Sequence, residues 1–256
     1  MRLADARALV TGAAGGLGGT FALELARAGA KVAAGDTNAA GLRRLAAEAS
    51  GLAGQLTVGK LDITDEASVE SFCSSAAQQM GGINVLINSA GIVRDGLLVT
   101  KDEDRLTKLP LAQWRKVIDV NLIGQFLVTR EAVAQMIEGG VSEGVVINLS
   151  SIARAGNPGQ SNYAASKAGL DACTRTWALE LARHGVRVGG IAPGVTDTSF
   201  LEGIAPSAVE KLADEIPLGR LGRPEDIWQA VRYILECDYF TGRTLEVDGG
   251  ASMGKI

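Results

Sequence analysis

Residues 6–36, ARALVTGAAGGLGGTFALELARAGAKVAAGD, carry the signature of a parallel α/β unit. The run ARALVTG (6–12) is apolar and strand-length, and KVAAGD (31–36) reads as a second strand. Between them GGTFALELARAGA has the alanine and leucine content of a helix. Two strands joined by a helix must run parallel, because the crossover returns the chain to the same end of the sheet. Gly12, Gly16 and Gly18 occupy the first turn, where glycine lets the backbone bend sharply and approach a pyrophosphate at a helix N-terminus. Their spacing is G-x-x-x-G-x-G rather than the general G-x-G-x-x-G, and any tight strand–helix turn would use the same residues. The second strand ends on an acid, Asp36, 18 residues after Gly18. A carboxylate there accepts hydrogen bonds from the adenosine ribose hydroxyls and repels a 2′-phosphate. DTN also suits an Asx-type helix cap, a role compatible with the first. Gly15 leaves the turn without a basic side chain, so the cofactor expected is NAD rather than NADP.

The same alternation continues through the chain. AAGLRRLAAEAS and DEASVESFCSSAAQQM read as helices; QLTVGKLD, INVLINSAG, GVVINLSS (144–151), VRVGGIAPG (186–194) and RTLEVDGG (243–250) read as strands. Near-continuous apolar strands alternating with helices predict one α/β domain over 1–256, a doubly wound parallel sheet of about seven strands with helices on both faces. Two segments depart from the pattern. VTKDEDRLTKL (99–109) holds six charges and predicts an exposed loop or hairpin. Residues 196–226 form a long glycine- and proline-bearing connection, which predicts a substrate lid.

Composition narrows the function. A net charge of −4 gives no footprint for nucleic acid or an anionic membrane. Cys73, Cys173 and Cys237 are few and far apart, fitting neither a disulfide framework nor a zinc site, and indicate a reducing compartment. The start MRLADARALVTG has no apolar signal region and no run reaches membrane-spanning length, so the expected location is cytoplasmic.

The chemistry is expected in LSSIARAGNPGQSNYAASKAGL, residues 149–170. Tyr163 and Lys167 stand four apart, on one face of a helix. A free phenol has a pKa near ~10; bringing it to neutrality takes roughly 4 kcal/mol, which one ammonium about 4 Å away supplies at a partly buried dielectric. The pair is therefore expected to lower the phenol and make a proton donor and acceptor for an alcohol. Ser150 ends the preceding strand, at the sheet edge where ligands bind. NSAG (88–91) and APG (192–194) close two further strands at that edge.

Taken in order, these motifs resemble the short-chain dehydrogenase/reductase family over essentially all 256 residues: T-G-x-x-x-G-x-G from Thr11, the acid, LDI at 61–63, NSAG, the asparagine of VNLIG, serine, Y-x-x-x-K, and P-G followed by a threonine. The resemblance implies a Rossmann fold and an oxidoreductase that moves a hydride between NAD(H) and a secondary alcohol or ketone. It implies a tetrad of Asn121, Ser150, Tyr163 and Lys167. Tyr163 would be the acid/base, Ser150 the orienter of the substrate oxygen, and Lys167 the tuner of the phenol and binder of the nicotinamide ribose. Asn121 would kink its helix and hold a relay water. Ser150 is taken over Ser151 because it lies 13 residues before Tyr163. For the cofactor the resemblance carries over Gly12, Gly16, Leu17, Gly18 and Asp36, with Asp62 and Ile63 at adenine and Asn88 at the ribose. Ala90, Gly91, Pro193, Gly194 and Thr198 join them, the threonine at the carboxamide or pyrophosphate. The serine of NSAG departs from the commoner second asparagine without touching this expectation.

Rival readings are weaker. His184 is the single histidine and sits at a helix end, so a Ser-His-Asp triad or a histidine metal site has no partner, and no metal is expected. A non-catalytic NAD-sensing or scaffold protein would not need the tyrosine. GNPGQSNYAASKAG resembles the 3-oxoacyl-carrier-protein reductases most. MIEGGVSEG, however, offers an acidic carrier protein two glutamates and no base, which favours a small or coenzyme-A-linked alcohol and leaves the carrier-protein reductase as runner-up. LAQWRKVIDVNLIGQFLVTREAVAQMI is apolar around much of its circumference, and Trp177, Leu179 and Leu181 lie on different faces of the helix after Tyr163. Such helices need more than one burial partner, and the resemblance supports a homotetramer.

Overall fold

In the computed structural model the described residues are 1–102, 105–198 and 205–253. The chain runs β1 (Arg7–Thr11), α1 (Gly16–Arg27), β2 (Lys31–Asp36), α2 (Ala39–Glu48), β3 (Gln55–Lys60), α3 (Glu66–Met80) and β4 (Val85–Asn88). It continues through β5 (Val99–Asp102), β6 (Arg105–Lys108), α4 (Leu111–Ile118), α5 (Gln125–Glu138), β7 (Gly144–Leu149) and α6 (Ser161–Leu181). It closes with β8 (Val186–Pro193), α7 (Pro206–Glu215), α8 (Pro224–Glu236) and β9 (Thr244–Val247). Seven strands form one parallel sheet in the order β3-β2-β1-β4-β7-β8-β9. The order reverses between β1 and β4, and the crevice outside the carboxyl ends of those strands is where such sheets take ligands.

Strand alternation divides the core into two layers. Ala8, Val10, Val85, Ile87, Val145 and Ile147 pack with Phe21, Leu25, Trp228 and Ile234 of α1 and α8. Leu9, Leu86 and Val146 face the other way, onto Val69 and Cys73 of α3 and Val128 and Met136 of α5. Both sheet faces are thus covered, which is why these strands read as unbroken apolar runs.

The continuous helix expected over 111–137 is interrupted by a π-helical turn, Asp119–Gly124, that contains Asn121. The charged segment is an antiparallel hairpin, β5 with β6, outside the main sheet. Of the expected lid, residues 199–204 lie outside the described set, while the rest includes α7 and the start of α8. Its two arms are joined by a Thr196–Gly222 bridge. The Asp197 amide donates to the Gly222 carbonyl at 2.8 Å and the Gly222 amide to that of Val195 at 2.9 Å. Helix α7 buries none of its residues.

Candidate active site

A single long cleft follows the switch point from Asp36 and Arg44 at one end to Gln160, Leu212 and Glu215 at the other. Gly12 (φ +66°) lies at its floor, where a Cβ would come within 2.6 Å of Ala90 Cα. A Cβ on Gly18 would collide with the Gly12 carbonyl, whereas one on Gly15 would meet nothing within 4 Å. Glycines are therefore required to bring β1, the α1 N-terminus and the β4 loop together, and the open side at Gly15 leaves a cradle for phosphate at a helix N-terminus. Thr11 stitches this floor, its hydroxyl accepting from the amides of Ser89 and Ala90, both at 3.1 Å. The residues present fit a dinucleotide.

Asp36 faces this cradle with a fixed carboxylate. The Ala14 amide donates to Oδ2 at 3.0 Å and the Asn38 amide to Oδ1 at 2.8 Å. The cap of α2 is Asn38, which accepts from the Gly41 amide at 3.1 Å, so Asp36 is not that helix's cap. Arg44, exposed on α2, lines the same end; the sequence reading looked for a base in the glycine turn and passed over this one. Asp62 and Ile63 line the next stretch. The Thr64 hydroxyl and amide donate to Asp62 Oδ1 at 2.7 and 2.9 Å, and these bonds hold its carboxyl below the usual range. Leu17, Gly16, Ala90, Gly91, Pro193, Gly194 and Thr198 also line the cleft.

Asn88 does not. It is fully buried, with Nδ2 donating to Thr129 Oγ1 at 2.8 Å and to Asn148 Oδ1 at 2.9 Å. The reason is strand alternation: Asn88 lies two residues after Leu86 and points with it toward α5, away from the ribose side. Asn148, its register partner on β7, donates in turn to Thr174 Oγ1 at 2.9 Å. A polar ladder thus ties α5, β4, β7 and α6 beneath the cleft.

The expected serine also moves. The Ser150 amide continues the ladder of β7, donating to the Ile191 carbonyl at 2.7 Å. Its side chain therefore follows Asn148 toward α6, where the hydroxyl is buried and donates to the Lys167 carbonyl at 3.1 Å. The next residue turns out of the strand. The Ser151 side chain lies close enough to the Tyr163 phenol to lower its pKa, and its hydroxyl accepts from the Ala153 amide at 3.1 Å, capping a short 3₁₀ turn, Ile152–Ala155. Spacing alone does not tell which of two adjacent serines lies beside the phenol.

Lys167 is 4% exposed, and its Nζ donates to the Leu149 carbonyl at 2.6 Å. It lies 5.6 Å from the centroid of the Tyr163 ring. Burial brings the lysine down to about 8. The phenol is not lowered as expected: burial pushes it up, Ser151 opposes that rise, and the charge of Asp95 adds to it. Burial is the largest influence on the phenol. Asn121 is fully buried in the π-turn; its Oδ1 accepts from the Ile92 amide at 2.8 Å. Its Nδ2 donates to the Ile92 carbonyl at 2.9 Å and to Ser166 Oγ at 3.3 Å. The π-helical turn distorts the helix at Asn121, and both side-chain donors are committed to protein. A Cβ on Gly91 would sit 3.4 Å from Asn121 Oδ1 and 3.7 Å from Lys167 Nζ, so these three residues converge.

Among the described residues there is no cluster of potential metal ligands, and no helix is long and apolar enough to cross a membrane. The profile of the family described as Enoyl-(Acyl carrier protein) reductase matches residues 12–252. The chain is 42% identical over 254 residues to a 3-oxoacyl-[acyl-carrier-protein] reductase of Thermotoga maritima, covering 98% of this chain and 99% of that one. It is 37% identical over 264 residues to a (3R)-3-hydroxyacyl-CoA dehydrogenase of Canis lupus familiaris, covering 99% and 98%. Its fold matches the crystal structure of a short-chain type dehydrogenase/reductase from Mycobacterium marinum with a TM-score of 0.88 at 31% identity, covering 97% and 96% of the two chains.

Proposed function

The chain belongs to the short-chain dehydrogenase/reductase family, and from that premise we propose how its cleft carries out the reaction and on what substrate. It is an oxidoreductase acting on CH–OH and carbonyl groups. The observation that carries the proposed mechanism is the Tyr163 phenol, lining a glycine-floored cleft with Ser151 and Lys167 beside it. A nicotinamide, when bound, supplies or accepts the hydride. Tyr163 donates a proton to the carbonyl oxygen in reduction and removes the hydroxyl proton in oxidation. Ser151, in place of Ser150, holds that oxygen beside the phenol. Lys167 keeps a positive charge near the phenolate as it forms, and Asn121 pins the Ile92 loop that walls the site.

The preferred cofactor is NAD(H). Asp36 supports this, because two backbone amides fix a carboxylate where a 2′-phosphate would have to go. Arg44 lies nearby but is exposed and on a flexible side chain, so the fixed charge dominates. The substrate is a neutral secondary alcohol or ketone, either small or acyl-CoA-linked. The Canis relative favours the coenzyme A form, and the Thermotoga relative supports a carrier-protein thioester as the second reading. Residues 196–226, with α7 at the substrate end of the cleft, act as a lid on the one-domain body. The assembly is a homotetramer in the cytoplasm, supported by Leu111, Ile123, Phe126 and Leu179, which leave 59%, 46%, 44% and 83% of their surface exposed.

Oxidation of reduced nicotinamide, followed by absorbance with a panel of ketones and thioesters, tests the reaction. Turnover in the wild type and its collapse in Tyr163→Phe are expected; turnover that survives the substitution would remove the mechanism.

A further inference from the structure

The substrate half of the cleft carries an unneutralised negative charge beside the reacting group. Asp95, on the loop after β4, lines the cleft together with Ser151, Gln160 and Tyr163. Gln160 Nε2 donates to both of its carboxylate oxygens, at 3.1 and 3.2 Å. Gln160 is itself held by Asn157, whose Nδ2 donates to Gln160 Oε1 at 2.9 Å. The Gly96 amide donates to the Gly159 carbonyl at 2.8 Å, and Gln113 Nε2 to the Asp95 carbonyl at 2.9 Å. The carboxylate is thus positioned by a neutral amide, which fixes its place without cancelling its charge.

Among the described residues no ion pair to Asp95 forms; the adjacent Arg94 turns its guanidinium to the Val93 carbonyl at 2.8 Å instead. Of the three basic residues lining the cleft among the described residues, Arg44 is on α2, Lys116 acts on Asp62, and Lys167 commits its ammonium to the Leu149 carbonyl. The nearby Arg154 is paired with Glu246 at 2.6 Å and with Asp171 at 3.8 Å. Glu215 adds a second carboxylate to the lining. The charge of Asp95 already reaches the Tyr163 phenol, which it raises.

We propose that Asp95 determines substrate choice, admitting neutral 3-oxo compounds such as esters and thioesters and rejecting free 3-oxo acids. This rests on the reading of Tyr163 and Ser151 as the groups that hold the carbonyl oxygen. With the carbonyl there, a 3-oxo acid must place its carboxylate only two bonds from the reacting carbon, in the part of the cleft that Asp95 faces. Two such charges about 6 Å apart disfavour binding by a factor of about three in water-like surroundings and about a hundred in a partly buried site. Asp95 is exposed to the cleft, so the expected penalty lies near tenfold. An ester or thioester presents a neutral carbonyl at the same position and escapes it.

Acetoacetate and its ethyl ester form the test pair, differing in charge at one position. The ester is expected to exceed the acid at least tenfold in kcat/KM with the wild type. Asp95→Asn keeps one bond to Gln160 and removes the charge, so the ratio of the two values should narrow about tenfold. KM for acetoacetate should fall as salt is raised in the wild type and respond less in the variant. Binding of each probe to the complex with reduced cofactor, read by quenching of cofactor fluorescence, should show the same ratios. If neither probe is turned over, the proposed reaction fails, and the two binding constants still decide the charge argument. Equal use or binding of acid and ester by the wild type, or a ratio unmoved in Asp95→Asn, overturns the inference.

Discussion

Replacing Ser151 and Ser150 separately by alanine separates the hydroxyl at the phenol from the one beneath it. Ser151 lines the cleft beside the Tyr163 phenol and lowers it, at the point where charge develops as the proton leaves. A donor aimed at such a site is worth about 10²–10³ in kcat, so Ser151→Ala should fall by that factor. The phenol also loses the one contact that opposes its rise, while burial and Asp95 remain. Alcohol oxidation needs the phenolate, so the pH limb for oxidation in the variant should move to higher pH. Ser150 donates to the Lys167 carbonyl at 3.1 Å inside the core. Its loss removes one neutral hydrogen bond, worth about 1 kcal/mol of stability, and should leave kcat within a few-fold of wild type. Initial rates over a pH series, with thermal melts of the same samples, give both readouts. If Ser150→Ala lost activity a hundredfold while Ser151→Ala kept more than about a tenth, the assignment from strand alternation would be refuted.

Tyr163→Phe should reduce turnover about 10²–10⁴-fold while reduced cofactor still binds, which fluorescence titration checks. Asp36→Ala should weaken NADH and relieve NADPH, and adding Thr37→Arg should turn the preference to NADPH; equal wild-type kcat/KM for both cofactors would remove the NAD assignment. Lys167 is held at about 8 by burial, against 10.5 for a free lysine. Folding therefore carries a desolvation cost of roughly 3 kcal/mol below pH 8, which fades as pH rises toward the unfolded value. Lys167→Met should raise Tm by a few degrees at pH 7 and abolish turnover, with the stability gain shrinking between pH 8 and 10; a lower Tm at pH 7 would contradict this. Light scattering at micromolar protein should give the mass of a tetramer, and a monomer there would show that the exposed apolar residues of α4, α5 and α6 need no partner.

The sheet was legible because its strands are buried on both faces and its turns are rich in glycine, so their positions stand out along the chain. The glycine turn, Asp36 and the Tyr163–Lys167 pair could be read for the same reason: each is local, fixed by a spacing within one turn or one helix. What failed depended on direction. Asn88 and Ser150 sit where the motif puts them along the chain, yet both side chains face the helices under the sheet. The signal was present, since Asn88 is in phase with Leu86, and Ser150 with Val146 and Asn148. The phenol was misjudged because a charge pair can be seen in a sequence and the desolvation that opposes it cannot. Asp95, Gln160 and Arg44 come from three separate segments, and only folding shows that they share a cleft.

The asparagines of β4 and β7 constrain how this chain can vary. Asn88 and Asn148 are register partners, both fully buried, and joined by one hydrogen bond in which Asn88 Nδ2 donates to Asn148 Oδ1. Changing either to an apolar residue strands the amide that remains, at a cost of about 1–3 kcal/mol, whereas changing both removes the unmet demand. The path from one pairing to the other therefore crosses a less stable intermediate. Across a lineage the two positions should drift as a unit, with Thr129 and Thr174 following, even though no member of the set touches the cleft above.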